Sequence, residues 1–166
     1  AAHGQGQETT ASLVVARTLG LSVESVTVIG GMDTGTRPWS VSSGSYSSRF
    51  GAVGASSVVA AANKLRDNLV RATAYFLDVH ADQLVLQGGR VVFQENVEQG
   101  LTIKDVAARL HWSTGTLPAE LETACNVEGT FVAEDLDYPN DHDQVNSSAV
   151  YAFAADVAVV EVDKET

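Results

Sequence analysis

Near its start the chain reads Gly4-Gln5-Gly6-Gln7, followed by Glu8-Thr9-Thr10 and an apolar-periodic run. Glycine lets a backbone approach a ligand closely. Amide side chains donate and accept hydrogen bonds without carrying charge. At a helix start, unpaired N–H groups and the positive end of the dipole favour anions. Together these features suit a phosphate, an oxo group or a polar heterocycle. The dinucleotide fingerprint does not fit, because Thr9 stands where its third glycine should be and no strand precedes it. Taken alone, a Gly-rich start is an ordinary loop more often than a site.

Three other stretches carry candidate chemistry. Residues 43–49, "SGSYSSR", place hydroxyls and Arg49 ahead of a helix. They could form a second anion cradle, although alone they read more simply as a Ser-rich loop with a solvated arginine. Residues 135–143, "DLDYPNDHD", hold four aspartates and His142. A calcium loop needs oxygen ligands at alternate positions and a glycine at the sixth. Pro139 and the lack of glycine break that pattern, leaving a solvated acidic loop. His3, His80 and His111 stand singly, without a partner at metal-ligand spacing. There is no nucleophile elbow, P-loop or zinc-protease motif. Cys125 is the single cysteine, so an internal disulfide and a Cys-based zinc site are excluded. It falls in a stretch that alternates like a strand and is expected to be a small buried hydrophobe. No catalytic residue and no metal ligand is assigned.

The elements that must position these residues follow from periodicity. A chain of 166 residues with 45% hydrophobic and 19% charged residues is expected to form one domain with a core. Ala11, Val14, Val15 and Leu19 define one face of a helix over residues 8–19, with Gly20 as its left-handed cap. "VTVIGGM" reads as a buried strand, and the Gly/Ser/Thr-rich stretch 33–48 as a long loop of the kind that carries function. Val58, Ala62, Leu65, Leu69, Ala72 and Phe76 form one stripe of a long helix over roughly residues 53–79. "LVLQ" and "RVVFQ" flank Gly88-Gly89 as a hairpin. "LTIKDVAARLHW" is a short helix that Thr102 caps with Asp105, and Leu101 and Val106 are spaced as a staple. "LETACNVEGTF" alternates weakly like a strand, and "VYAFAADVAVVEVD", apolar on both faces, reads as a central strand. The expected fold class is α+β, a mixed sheet packed with one long and two shorter helices.

The net charge of −11 and pI of about 4.6 argue against nucleic acid and anionic membrane as partners. No apolar run approaches the ~20 residues that span a bilayer. With one cysteine and no leader pattern at the start, a reducing, cytoplasmic setting is expected.

Several stretches in order resemble one family. They are "HGQGQETT" at residues 3–10, "GGMDT" at 30–34, "GSYSSR" at 44–49 before an Ala-rich helix, "LDVHADQLVLQGGRV", "LTIKDVA" and the final "VAVVEVDKET". This order and spacing resemble the large, molybdenum-binding subunit of the xanthine dehydrogenase, aldehyde oxidase and carbon monoxide dehydrogenase family. The resemblance covers nearly the whole chain, and its first motif is the most specific. It implies part of a molybdopterin-binding domain. The implied cofactor is a molybdenum ion held by the dithiolene of a pterin, often extended by cytidine as molybdopterin cytosine dinucleotide. It further implies hydroxylation of carbon with water, on an aldehyde, an N-heterocycle or CO, and electron transfer to iron–sulfur and FAD partners. In the family the glutamine between the two glycines lies beside the oxo ligand, a role that would fall on Gln5. Gly4 and Gly6 would let the backbone close on the cofactor, with Gln7 next to them. The serine loop contacts the pterin, which makes Ser47, Ser48 and Arg49 candidates.

Two departures qualify the resemblance. The loop between Asp33 and Gly44 is longer than the family norm, and Ser47 stands where many members have glycine. The family's catalytic glutamate, in a Gly-x-Gly-Glu stretch far downstream, has no counterpart here, and substrate-determining loops upstream are also lacking. The first motif has no lead-in strand, and the chain stops just after an apolar strand. Residues 1–166 are therefore expected to be one molybdopterin-binding segment truncated at both ends, excised or naturally split. Alone it should be inactive and empty of cofactor. Its expected partners are the remaining segments of the large subunit, with self-association through exposed edges. The competing expectation is a non-catalytic interaction or scaffold domain that keeps the fold without the cofactor.

Overall fold

A computed structural model of the chain describes residues 2–30, 35, 48–113, 115, 117–121, 124–134, 136–151 and 153–165. Helix α1 spans Gln7–Leu19 and buries Ala11, Ser12, Ala16 and Leu19. It ends at Gly20, whose φ of 64° is left-handed and whose N–H donates to Ala16 O. A single 3₁₀ turn, Val23–Ser25, follows.

The long helix begins with a π-helical turn, Phe50–Gly54, and continues as α2, Ala55–Leu77. Its expected apolar stripe faces inward. Ala62, Leu69 and Ala72 are buried, and Leu65 and Phe76 pack half-buried against the core. Asp78, at φ 54°, stops the helix. The hairpin also forms as read. Strands β1, Leu84–Gln87, and β2, Arg90–Phe93, pair antiparallel with Gln87 opposite Arg90. Gly88 and Gly89 turn between them at φ 57° and 71°, the positive values of a type I′ turn.

A short third strand, β3, Gly100–Thr102, pairs antiparallel with β2 and leads directly into α3, Ile103–Trp112. The capping box forms. Asp105 N–H donates to Thr102 Oγ1 at 3.0 Å, and Thr102 N–H donates to Asp105 Oδ2 at 3.3 Å. The class is α+β; among the described residues there are one long and two shorter helices, and three strands in the order β1-β2-β3, all antiparallel. Helix α2 packs against α1, α3 and the sheet. The core joins Leu19, Leu69, Leu84, Val91, Val106, Leu110 and Leu121. Complete burial of Leu69, Val91 and Val106 contributes roughly 1.5–3 kcal/mol apiece.

Three expected strands do not form among the described residues. Residues 26–30 of "VTVIGGM" lie outside any strand, and Ile29 is exposed. "LETACNVEGTF" begins at Leu121, the last residue of a 3₁₀ turn, Ala119–Leu121, and its described residues 124–131 lie in no strand; Ala124 is buried and Cys125 is exposed rather than buried. The described part of "VYAFAADVAVVEVD" lies in no strand and is exposed. Alternation and β-branching mark which residues suit a strand, but a strand also needs a hydrogen-bonding neighbour. None of the described elements supplies one here.

Candidate functional site at the head of the first helix

The head of α1 is built from backbone. Gly6, the N-cap residue, sits at φ 73° and Gly4 at φ 92°, both left-handed. A Cβ placed on either glycine would meet no atom within 4 Å, so the space above this stretch is open. Two left-handed residues in three turn the chain sharply ahead of the helix, which non-glycine residues do only at a cost. Among the described residues no side chain caps the start of the helix. The nearby hydroxyls bond backward instead, Thr10 Oγ1 to Gly6 O at 3.0 Å and Ser12 Oγ to Glu8 O at 3.0 Å. The first-turn N–H groups of α1 therefore have no intrahelical acceptor and no side-chain cap.

The two glutamines differ. Gln5 is exposed, and its Oε1 accepts from His3 N–H. Gln7 is half-buried, and its Nε2 is removed from solvent without a hydrogen-bond partner among the described residues. A buried donor left unpaired costs about 1–3 kcal/mol, so such a group calls for a partner. Sequence alone gave the two glutamines equal hydrogen-bonding capacity, and only the packing separates them.

A relationship that the motifs did not disclose ties the first two together. The Glu8 side chain lies against Gly30, where a Cβ would collide with its carboxylate. The "GGMDT" stretch thus begins beside the first turn of α1. Its continuation, residues 31–34, lies outside the described residues, as does Ser47 of the serine loop. Ser48 and Arg49 are described. Ser48 is left-handed at φ 54°, and its carbonyl accepts from Ala52 N–H at 3.1 Å. Arg49 is the residue before the π-helical turn. Positive φ at a serine and a π-turn are both uncommon and cluster at functional sites. The two groups of candidates sit at the starts of α1 and of the α2 assembly, helices that pack on each other.

The other candidates build no site. Around "DLDYPNDHD", Asn140 Oδ1 accepts from His142 and Gln144 N–H at 2.9 and 3.0 Å, so the loop closes on itself. Among the described residues no group of three or more His, Cys, Asp or Glu side chains could hold a metal. A surface cleft lined by Thr18, Arg66, Arg71 and Asp82 contains two guanidinium groups. Both are engaged, Arg66 with Asp67 at 3.0 Å and Arg71 with Asn68. None of the described helices is long and apolar enough to cross a membrane.

Comparison with known proteins fits this geometry. The model of the molybdopterin cofactor-binding domain matches residues 1–166. The nicotine 6-hydroxylase large subunit of Paenarthrobacter nicotinovorans is 32% identical over 120 residues, 72% of this chain and 14% of its own length. The carbon monoxide dehydrogenase large chain of Hydrogenophaga pseudoflava is 28% identical over 164 residues, 99% of this chain and 18% of its own. Among solved structures, quinoline 2-oxidoreductase from Pseudomonas putida 86 superposes with a TM-score of 0.60 at 25% identity, over 72% of this chain and 15% of that one. The chain thus spans about one seventh of the curated relative first named, 14% of its length. A match along the entire chain, with the Gly-Gln-Gly-Gln helix start inside it, assigns residues 1–166 to the molybdopterin cofactor-binding domain family.

Proposed function

We propose that residues 1–166 are a cofactor-binding segment of a molybdenum hydroxylase. The observation that carries the reading is the Gln7 side-chain nitrogen, removed from solvent and without a hydrogen-bond partner among the described residues, in the residue that follows the open backbone of Gly4 and Gly6 in sequence. The site offers N–H donors and neutral amides, which fits the oxygen-rich and polar heterocyclic surface of a molybdenum–pterin. Gly4, Gln5, Gly6 and Gln7 would hold it at the head of α1, with Ser47, Ser48 and Arg49 at the head of the α2 assembly. When bound, the cofactor supplies the redox chemistry that inserts water-derived oxygen into a carbon substrate. The residues of this segment bind and orient. A buried amide donor fixes an acceptor in place, and the left-handed glycines keep the approach free of side chains.

The wider reading rests on the relatives, whose names describe large subunits or large chains. By that reading the segment works within a larger subunit, which passes electrons to iron–sulfur and FAD partners. The cytosine dinucleotide form of the cofactor and a cytoplasmic setting belong to the same proposal, the latter supported by a single exposed cysteine. The isolated chain is expected not to hydroxylate, because general-base catalysis needs a group positioned at the attacking oxygen.

The test is Gln7→Ala in the full-length protein that carries this sequence. Loss of one hydrogen bond to a charged group costs roughly 1.5–3 kcal/mol. Cofactor affinity should therefore fall about ten- to a hundredfold, read as molybdenum and pterin per protein after dilution. Wild-type protein that holds no molybdenum or pterin would favour a scaffold domain instead.

A further inference from the structure

Residues 124–130 lie along α2, and two contacts fix their course. Near the middle of the helix, Asn68 Nδ2 donates to Ala124 O at 3.0 Å. Further along the chain, Gly129 lies on the helix backbone. A Cβ there would overlap Ser57 O and Ala61 N and would lie 2.7 Å from Ala61 Cβ. Asn68 to Ser57 is about 16 Å of helix, and Ala124 to Gly129 is about 16 Å of extended chain. The match means that the stretch runs straight along α2, antiparallel to it. Burial alternates accordingly: Val127 and Gly129 are half-buried, whereas Asn126, Glu128 and Thr130 are exposed. The stretch lies in no strand, so it is a strap laid on a helix.

The strap meets α2 where the helix joins its strained head. Ser57 Oγ donates to Val53 O at 3.0 Å, and Ser56 Oγ donates to Ala52 O at 2.7 Å. Val53 and Ala52 belong to the π-helical turn Phe50–Gly54. Ala52 N–H in turn donates to the carbonyl of Ser48, the left-handed residue at φ 54°. Hydrogen bonds and covalent neighbours thus connect the Gly129 contact to Ser48. A strained residue keeps its conformation only where its surroundings impose it.

We infer that residues 124–130 hold the head of the α2 assembly in its strained form, and that Gly129 is a positioning residue for the Ser48–Arg49 half of the site. What that half binds rests on the proposed function; the strap itself does not. Only a residue without a Cβ lets the strap backbone lie directly on helix backbone. Any side chain at 129 would lift the strap from Ser57 and loosen the turn that Ser57 and Ser56 tie down.

Gly129→Ala in the full-length protein that carries this sequence tests the inference with two readouts. In cofactor-free protein, amide hydrogen exchange at residues 52–61 should quicken by about tenfold or more while residues 84–93 stay protected. In protein supplied with cofactor, retention of molybdenum and pterin should fall roughly two- to thirtyfold, the range for residues that act through a packed network. Combining Gly129→Ala with Ser48→Ala should lower retention by less than the product of the two separate losses, because one acts through the other. Val127→Ala withdraws an inward side chain without a collision. It should move both readouts the same way and by less, and it carries the test if Gly129→Ala does not fold. Thr130→Ala, on the outward side, should move neither. Unchanged exchange at 52–61 in both strap variants would overturn the inference, and so would cofactor losses that multiply in full. Wild-type protein that holds no molybdenum or pterin would instead sink the proposed function alone, with exchange at 52–61 still deciding the strap.

Discussion

Gly20 rests on Gly88: a Cβ on Gly20 would lie 2.7 Å from the Gly88 backbone nitrogen and 3.1 Å from that of Gly89. The cap of α1 and the turn of the β1–β2 hairpin are in backbone contact through two left-handed glycines. Neither can carry a side chain at ordinary cost, but for different reasons. Gly88 has open space above it, whereas Gly20 has a backbone.

Gly20→Ala and Gly88→Ala therefore form a matched pair. Each incurs the roughly 1–2 kcal/mol of a left-handed Cβ. Only Gly20→Ala adds a collision with backbone that cannot swing aside. Thermal melts should show Gly88→Ala lowered by about 2–8 °C, at ~2–4 °C per kcal/mol for a domain of this size, and Gly20→Ala lowered further. Equal losses would show that the contact relaxes freely.

Asn68 makes a buried side-chain bond between segments far apart in sequence. It lies on α2 and donates from Nδ2 to Ala124 O at 3.0 Å, across 56 residues of sequence. Its Oδ1 accepts from Arg71. Asn68→Leu keeps the volume but strands a carbonyl in the core, which costs about 1–3 kcal/mol. Urea unfolding should shift to a lower midpoint with an unchanged slope. No change in midpoint would mean that water satisfies Ala124 O.

The cap of α3 should be pH-sensitive. Hydrogen bonds from the Thr102 hydroxyl, at 2.7 Å, and the Thr102 N–H hold the Asp105 carboxyl below its usual range. A carboxylate depressed in the folded state adds stability that is present above the unfolded value of ~3.9 and is lost as pH falls through the folded value. The cap should therefore weaken below about pH 4. NMR titration should give Asp105 a midpoint below that of an ordinary aspartate, and Thr102→Val should raise it. An ordinary midpoint in wild type would contradict the cap.

How much of this was legible depended on range. The capping box at Thr102 and Asp105, the Gly88-Gly89 turn, the Gly20 cap and the Leu65–Leu69–Ala72 stripe are local relations within a few residues, and the structure contains all of them. Strand expectations at 26–30 and in the last twenty residues did not materialise, because pairing is a relation between distant segments. At the site, the Gly-Gln-Gly-Gln motif marked the right kind of backbone. Sequence could not say which amide is buried, since that depends on how α1 packs. It also gave no hint that Glu8 lies on Gly30, a contact between residues 22 positions apart.

Ser48 offers a test that separates fold from function. Its φ of 54° places a residue with a Cβ in the left-handed region, just before the π-helical turn. Strain of this kind costs about 1–3 kcal/mol and persists where the surroundings impose it. Ser48→Gly relieves it, offset in part by the greater freedom of glycine in the unfolded chain, ~1 kcal/mol. The variant should gain about 1 kcal/mol in stability, or about 2–4 °C in a melt. If the strain exists to hold the Ser48 hydroxyl toward the cofactor, the full-length Ser48→Gly protein should retain less molybdenum and pterin although it is the more stable. Ser48→Ala removes the hydroxyl and keeps the strain, so it should lose cofactor without gaining stability. Matched cofactor content in wild type and both variants would remove Ser48 from the binding site. A lower melting temperature for Ser48→Gly would show that its left-handed backbone is not strained.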